Sequence, residues 1–250
     1  MTNEEFIRLH RGEDTSALAL KRVPEGVDLK FCLEQIKSRQ KAERKLPRWA
    51  AVEGLLFPPA LSMEQCSSQE TAHYKQRLVE RILPPQERNA MVDLTAGFGV
   101  DFSYLAMLFK QAVYVEQQAN LCEIAHHNMP LLGLGHAEIR CARCEEYLLE
   151  SGCADLIFMD PARRDGAGRK TVLLEDCTPC VTTMLTDLLG RCRYLLLKLS
   201  PMLDIHAALK TLKNVCEVHV VSVDGECREL LLLLEARECR QVSFHCGNLG

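Results

Sequence analysis

Apolar residues recur along this chain in two rhythms that meet at Pro84 and Pro85. From Phe6 to about Ile82 they return every three or four positions, the period of helices with one buried face, and no stretch alternates as a strand would. The run from Leu29 to Arg44 reads as one helix, ended by Pro47 because the residue before a proline is pushed out of helical geometry. Trp49, the single tryptophan, follows it and is expected to anchor the helical segment. Ser67 and Glu70 have capping-box spacing, which predicts a second helix running through Tyr74 to about Ile82.

Beyond the two prolines, short apolar runs alternate with helix-length segments, as in a parallel sheet with crossover helices. Strands are predicted near 90–95, 112–116, 137–141, 154–159, 193–198, 216–223 and 229–235. Only Asp224 to Arg228, with Gly225 as a turn signal, separates the last two, so they must form an antiparallel hairpin. The expected organisation is an N-terminal helical subdomain over 1–84 and an α/β domain over 85–250.

Composition narrows the class without changing this picture. At 250 residues, 47% hydrophobic and 26% charged, the chain can hold one full α/β domain and a smaller helical attachment. No run reaches the roughly 18 uncharged apolar residues of a membrane span. Glu4, Glu5 and Arg8 break the charge order of a signal peptide, so a cytoplasmic protein without a membrane partner is expected. The net charge of −4 argues against a uniformly basic nucleic-acid binder. It leaves room for a local basic face, and Lys37, Arg39, Lys41, Arg44, Lys45 and Arg48 accompany only Glu43. Such a run can guide a phosphate backbone, although a solvated helix face is its more ordinary meaning.

Thirteen cysteines include two Cys-x-x-Cys pairs, Cys141 with Cys144 and Cys177 with Cys180, which have the spacing of zinc ligands. The 32 residues between the pairs exceed a zinc-ribbon separation and contain a predicted strand. No metal is therefore expected, and most of the cysteines read as small buried thiols.

The segment Val92, Asp93, Leu94, Thr95, Ala96, Gly97, Phe98, Gly99, Val100, Asp101 ends a strand, turns on two glycines and enters a helix. Glycines there let the backbone approach a ligand, and the helix start offers free N–H groups. A dinucleotide site would need a third glycine, and Asp93 would repel a diphosphate while suiting a cofactor with an ammonium group. Glu116 ends the next strand 23 residues later, followed by Gln117, where an acid can accept both hydroxyls of a ribose. A fourth strand delivers Asp160, Pro161, Ala162, Arg163, Arg164 and Asp165 to the same edge of the sheet.

On these residues the chain resembles the class I S-adenosylmethionine (SAM) dependent methyltransferases over about 85–236. The resemblance implies a Rossmann-like seven-stranded sheet and SAM as cofactor. It carries Asp93, Thr95, Ala96, Gly97, Gly99, Asp101, Glu116 and Gln117 over as the cofactor-binding set. After the third strand the family often has an acid beside the adenine; here Cys141, Ala142, Arg143 and Cys144 stand instead, leaving backbone near Arg143 and Cys144 for that contact. Asp160, Pro161, Ala162 and Arg163 are similar to the family's acceptor motif, in which an acid or amide and a carbonyl take hydrogen bonds from the target amine. Ala162 and Arg163 replace the proline and aromatic residue of the amino-methylating branch, so base stacking must come from elsewhere or from a guanidinium plane.

Arg163 and Arg164 are candidates to clamp a phosphate, with pairing to Asp165 as the plainer alternative. Lys198 and Ser200 are candidates to line the acceptor pocket, though a sheet-edge lysine and a capping serine are equally ordinary. The 5-methyluridine branch needs a cysteine after the fifth strand, and Leu197 to Met202 contains none, which disfavours covalent attack on a base.

The helical segment, with Lys45, Leu46, Pro47, Arg48, Trp49 and then Cys66, Ser67, Ser68, Thr71, Ala72, Tyr74, Lys75, resembles that of bacterial THUMP-like methyltransferases. That likeness implies an RNA substrate, although the THUMP-like module would lie beyond Gly250. The leading expectation is methylation of RNA at a base nitrogen by in-line transfer. Its rivals are an NAD(P)-dependent oxidoreductase and a non-catalytic scaffold that binds RNA or protein.

Overall fold

The computed structural model describes residues 1–163, 173–237 and 239–250. The N-terminal helical segment comprises α1 (Asn3–His10), α2 (Thr15–Leu18), α3 (Leu29–Lys45), α4 (Pro47–Ala50), α5 (Ala60–Gln65) and α6 (Gln69–Ile82). Asp28 caps α3 by accepting the Phe31 amide at 3.0 Å, and the predicted stop before Pro47 falls at Lys45. The cap of α6 lies one residue later than the Ser67–Glu70 spacing implied. Ser68 accepts the Thr71 amide at 3.3 Å, because the Ser67 hydroxyl is buried and donates to Asp101 at 2.6 Å.

The sheet region follows as β1 (Ala90–Asp93), α7 (Val100–Ala106), β2 (Gln111–Glu116), α8 (Ala119–Leu131), β3 (Ala137–Cys141), α9 (Cys144–Glu150) and β4 (Ala154–Met159). A short antiparallel pair, β5 (Ala162–Arg163) with β6 (Cys177–Thr178), leads to α10 (Val181–Arg191), β7 (Cys192–Leu199), α11 (Ile205–Thr211), β8 (Val215–Val223), β9 (Glu226–Glu235) and β10 (Ser243–Leu249). The main sheet runs β10-β8-β9-β7-β4-β1-β2-β3, with β9 antiparallel to both neighbours. The predicted hairpin is β8–β9, turning on Asp224 (φ 51°) and Gly225 (φ 77°), the paired positive angles that suit strand twist.

Eight strands rather than seven make this sheet. The extra one, β10, pairs parallel to β8 from Ser243↔Glu217 to Leu249↔Val223. It went unpredicted because an edge strand buries little: Phe244 is 61% exposed, and Gly247 and Asn248 are poor strand formers.

Strand side chains alternate between two covered faces, as a sheet buried on both sides requires. Leu156, Phe158, Leu231 and Leu233 join one core, and Ile157, Met159, Leu230, Leu232 and Leu234 the other. The first core also contains Leu46, Trp49, Phe57, Met63, Ala72 and Val79, so α3 to α6 and their connections pack directly on the sheet layer. Trp49 meets Phe98 edge-on at 4.8 Å and donates from Nε1 to Ser103 Oγ at 3.3 Å, which is the anchoring expected of it. Two buried amides hold the extended segment between α4 and α5. Gln35 brackets the Phe57 peptide at 2.8 and 2.9 Å, and Asn128 of α8 does the same for Leu56. A satellite core of Phe6, Leu18, Cys32 and Ile36 ties α1 and α2 to α3. No helix among the described residues is long and apolar enough to cross a membrane.

Candidate active site

The chain builds β1, β2 and β3 outward in one direction and then returns to place β4 on the other side of β1. At such a switch point the two connections leave in opposite directions and open a crevice at the strands' C-terminal ends. Asp93 ends β1 there, and Asp160 follows β4. A cavity of about 290 Å³ occupies the crevice, bounded by the turn from Asp93 to Asp101, by Glu116 to Gln118, by Ala142 to Glu145, and by Asp160.

The glycine turn is held in shape from both sides. Gly97 has φ +56° and Gly99 φ +87°, and a Cβ on Gly99 would lie 2.6 Å from Met129 Cε and 3.3 Å from the Tyr114 ring. Tyr114 donates its hydroxyl to the Gly97 carbonyl, and Glu116 accepts the Gly97 amide at 3.0 Å and the Gln118 amide at 2.9 Å. The Ala96 amide donates to the Val115 carbonyl at 3.0 Å, tying the turn to β2. Asp93 is 1% exposed; its Oδ1 accepts the Thr95 amide at 3.0 Å, while Oδ2 has no hydrogen-bond partner among the described residues. Burial holds this carboxyl well above the usual carboxylate range. Asp101, Asp160 and Glu116 push the same way, and the single Thr95 amide opposes them.

Across the crevice, Thr95 Oγ1 accepts the Asp160 amide at 2.6 Å, which fixes the start of the loop after β4. The Asp160 carboxylate receives Lys198 Nζ from β7, and Lys198 lies 3.8 Å from Asp101. Asp160 keeps 38% of its side-chain surface open toward the cleft, yet protein encloses the carboxyl closely enough that burial raises its pKa against the pull of Lys198. Burial draws the Lys198 ammonium down, but Asp160, Asp101 and Glu229 outweigh it and hold its pKa above the ordinary lysine value.

Behind this pair stands a buried network that the sequence reading did not single out. Lys75 of α6 is wholly buried; it pairs with Glu229 of β9 and lies 3.1 Å from Asp101. Ser67 donates its single hydroxyl proton to Asp101 at 2.6 Å and lies 3.1 Å from Glu229 Oε1. Burial works to raise the Glu229 pKa, but Lys75 and Lys198 overcome it and bring it down to about 2. A signal was present in the sequence. Lys75 falls on the apolar face of α6 with Ala72, Leu78 and Val79, and Glu229 opens a run of five leucines that is buried throughout.

The remaining predicted residues divide. Gln117, Arg143 and Cys144 line the cavity. Cys144 is buried, with a thiol pushed up to about 12 by burial and by its contact with Glu145, and Arg143 lies 3.6 Å from Glu145. Asp101 reaches the cavity wall, with Oδ2 taken by Ser67. Pro161, Ala162, Lys198 and Ser200 line a second, wider cleft of about 1000 Å³ that opens on the other side of Asp160. Ser200 also accepts the Met202 amide at 3.2 Å. The backbone of Arg163 lies in β5, and Arg164 lies outside the described residues.

Of the basic run, Lys41, Arg44 and Lys45 line this second cleft together with Arg228. Lys41 is paired with Glu64, and Lys45 donates to the Met63 and Glu64 carbonyls at 2.9 and 2.7 Å. Arg39 is instead buried and donates to the Ala50 carbonyl at 2.6 Å, and Arg48 lies over the Tyr104 ring at 5.6 Å. The two Cys-x-x-Cys pairs contribute no group of three converging ligand atoms among the described residues.

No protein-family model and no curated protein matches the sequence. Solved structures do. A candidate methyltransferase from Porphyromonas gingivalis W83 superposes with a TM-score of 0.82 at 31% identity over 95% of this chain. The chain spans 58% of the length of that protein. A candidate class I S-adenosylmethionine-dependent methyltransferase from Listeria monocytogenes matches 99% of this chain and 93% of its own, with a TM-score of 0.57 at 10% identity. A SAM-dependent methyltransferase from Agrobacterium tumefaciens matches 74% of this chain and 66% of its own, with a TM-score of 0.51 at 15% identity. The crevice at the β1–β4 switch point is thus set in the α/β fold of the class I SAM-dependent methyltransferases.

Proposed function

We propose that this chain binds SAM in the β1–β4 crevice and transfers its methyl group to a nitrogen of an RNA base presented in the cleft beside Asp160. The observation that carries the reading is the buried Oδ2 of Asp93, without a hydrogen-bond partner among the described residues, in a cavity where Asp101, Glu116, Glu145 and Asp160 outnumber Arg143 and Lys198. A cavity with this excess of negative charge fits a ligand bearing an ammonium and a sulfonium, and it opposes the diphosphate of a nicotinamide dinucleotide. In this reading Asp93 accepts from the amino group of the cofactor. Glu116, whose oxygens each keep a lone pair beyond the Gly97 and Gln118 amides, accepts from the ribose. Ala142 to Cys144, which line the cavity, would border the adenine. Bound SAM supplies an electrophilic methyl group on a cationic sulfur.

Because methyl transfer is an in-line displacement, alignment of the acceptor is the main task left to the protein. Asp160 is suited to it. Among the described residues Lys198 takes Oδ2 and leaves Oδ1 to accept a hydrogen from an amine, with Pro161 lining the same cleft. Lys198 donates to this carboxyl and opposes the burial that raises its pKa, and in its ionised form the group would orient the nitrogen lone pair toward the methyl donor and stabilise positive charge as it develops on that nitrogen. The acceptor assignment rests on Lys41, Arg44, Lys45 and Arg228 around the same cleft, which suit a phosphate backbone.

Incubation with radiolabelled SAM and separate RNA, DNA and protein fractions tests the reading. Label should enter RNA, and Asp160→Ala should abolish transfer while calorimetric SAM binding persists. Label in protein alone would overturn the acceptor assignment, and absence of SAM binding would overturn the enzyme.

A further inference from the structure

At the far edge of the sheet, on strands four and five places from β1, three metal-ligating side chains converge where no role in the crevice can be assigned to them. Strands β8 and β10 place His219 opposite His245, and the two imidazoles stack with centroids 4.6 Å apart and planes 11° from parallel. Glu217, two residues before His219, projects from the same face of β8. Its Oε2 lies 2.8 Å from His219 Nε2 and 3.9 Å from His245 Nε2. The latter nitrogen is buried and has no hydrogen-bond partner among the described residues. On the opposite side of the first ring, the Tyr74 hydroxyl lies 2.8 Å from His219 Nδ1.

We propose that Glu217, His219 and His245 form a site for a divalent transition ion of the zinc class, which fastens the edge strand β10 to β8 and α6. Tetrahedral bonds of about 2.0–2.1 Å set ligand atoms roughly 3.4 Å apart, and the two separations from Glu217 bracket that value, so rotation of the half-exposed His245 ring out of its stack on His219 would turn three ligands toward one ion. A water can take the fourth position from the half-exposed side of His245. Tyr74 on Nδ1 fixes the orientation in which Nε2 faces the site, the outer-shell hydrogen bond typical of a metal-bound histidine. Arg81 grips the carboxylate, with Nη1 2.9 Å from Oε1 and Nη2 on Oε2; Oε1 keeps a lone pair for an ion, and Oε2 regains one when His219 Nε2 turns its own lone pair to the ion. None of these residues belongs to the Cys-x-x-Cys pairs, and the site does not depend on the proposed methyltransferase activity.

The test uses the whole chain, stripped with a chelator, dialysed, and titrated with ZnCl2 by calorimetry and with CoCl2 by absorption. One ion per chain should bind with micromolar affinity or better and raise the melting temperature. His245→Ala and His245→Gln, at a half-exposed edge position, should fold and should weaken binding at least about tenfold, and Tyr74→Phe by about 10–100-fold. Absence of binding at micromolar metal, or affinity unchanged in both His245 variants, would overturn the site. So would a cobalt–thiolate absorption band lost in Cys239→Ser, because it would place the ion at Cys216, Glu235 and Cys239, a separate cluster of possible ligands.

Discussion

Asp93 and Lys75 are both buried charged residues, and they should behave in opposite ways. The Asp93 carboxyl is held well above its ordinary value of 3.8, so between that pH and its folded pKa the native state binds more protons than the unfolded chain. Stability from this group therefore falls as pH rises through the window, and at neutral pH Asp93 opposes folding of the free protein. Asp93→Asn should raise the melting temperature of the free protein at pH 7 while lowering SAM affinity at least about tenfold in calorimetry, since a charged hydrogen bond contributes roughly 1.5–3 kcal/mol. A lower melting temperature together with unchanged affinity would contradict both halves of this argument. Lys75 is the reverse case, because it neutralises Glu229 and Asp101. Lys75→Met should cost about 3–5 kcal/mol in urea unfolding, and adding Glu229→Leu should recover much of the loss. For Glu229, whose pKa falls from 4.5 to about 2 in the fold, the stabilisation is complete above pH 4.5 and disappears as pH falls through that interval. Acid titration of wild type against Glu229→Gln should show the difference confined there.

At the level of elements, α6 is the piece that joins the helical segment to the chemistry. Its apolar face carries Ala72, Leu78 and Val79 into the core, and on the same face Lys75 enters the network behind Asp160. The glycine turn is a second such joint. Gly99 both starts α7 and lets Met129 and Tyr114 approach the backbone. Gly99→Ala should destabilise by about 1–2 kcal/mol from the left-handed angle alone, with a further loss from the overlap at Met129, read as a lowered urea midpoint. Trp49→Ala removes the ring between α4 and α7 and should cost about 3–5 kcal/mol by the same measurement.

For the molecule as a whole, the net charge of −4 conceals a local separation of sign. Carboxylates gather at the crevice, while Lys41, Arg44, Lys45 and Arg228 gather around the adjoining cleft. If RNA enters by that cleft, binding should weaken with salt along a straight line in a log–log plot. Arg44→Ala and Lys45→Ala should each reduce the slope by about 1 without changing sequence preference. Equal slopes for wild type and both variants would remove this face from the binding path.

What the sequence determined by itself are the features written in short-range order. The strand rhythm, the Asp224–Gly225 hairpin, the glycine turn and the acid at the end of β2 follow from side-chain period and backbone permissiveness within a few residues. The eighth strand escaped because an edge position demands so little of its side chains, and the cap of α6 moved because Ser67 has a distant partner in Asp101. Only the tertiary structure decided that Lys75, Glu229, Asp101 and Lys198, separated by up to 154 positions, neutralise one another behind Asp160. It also decided that Lys41, Arg44 and Lys45 of the basic run line the cleft while Arg39 is buried against the Ala50 carbonyl. The physical reason is that burial of a charge is tolerated only through a partner, and which partner arrives depends on how the strands are ordered in the sheet rather than on any local pattern.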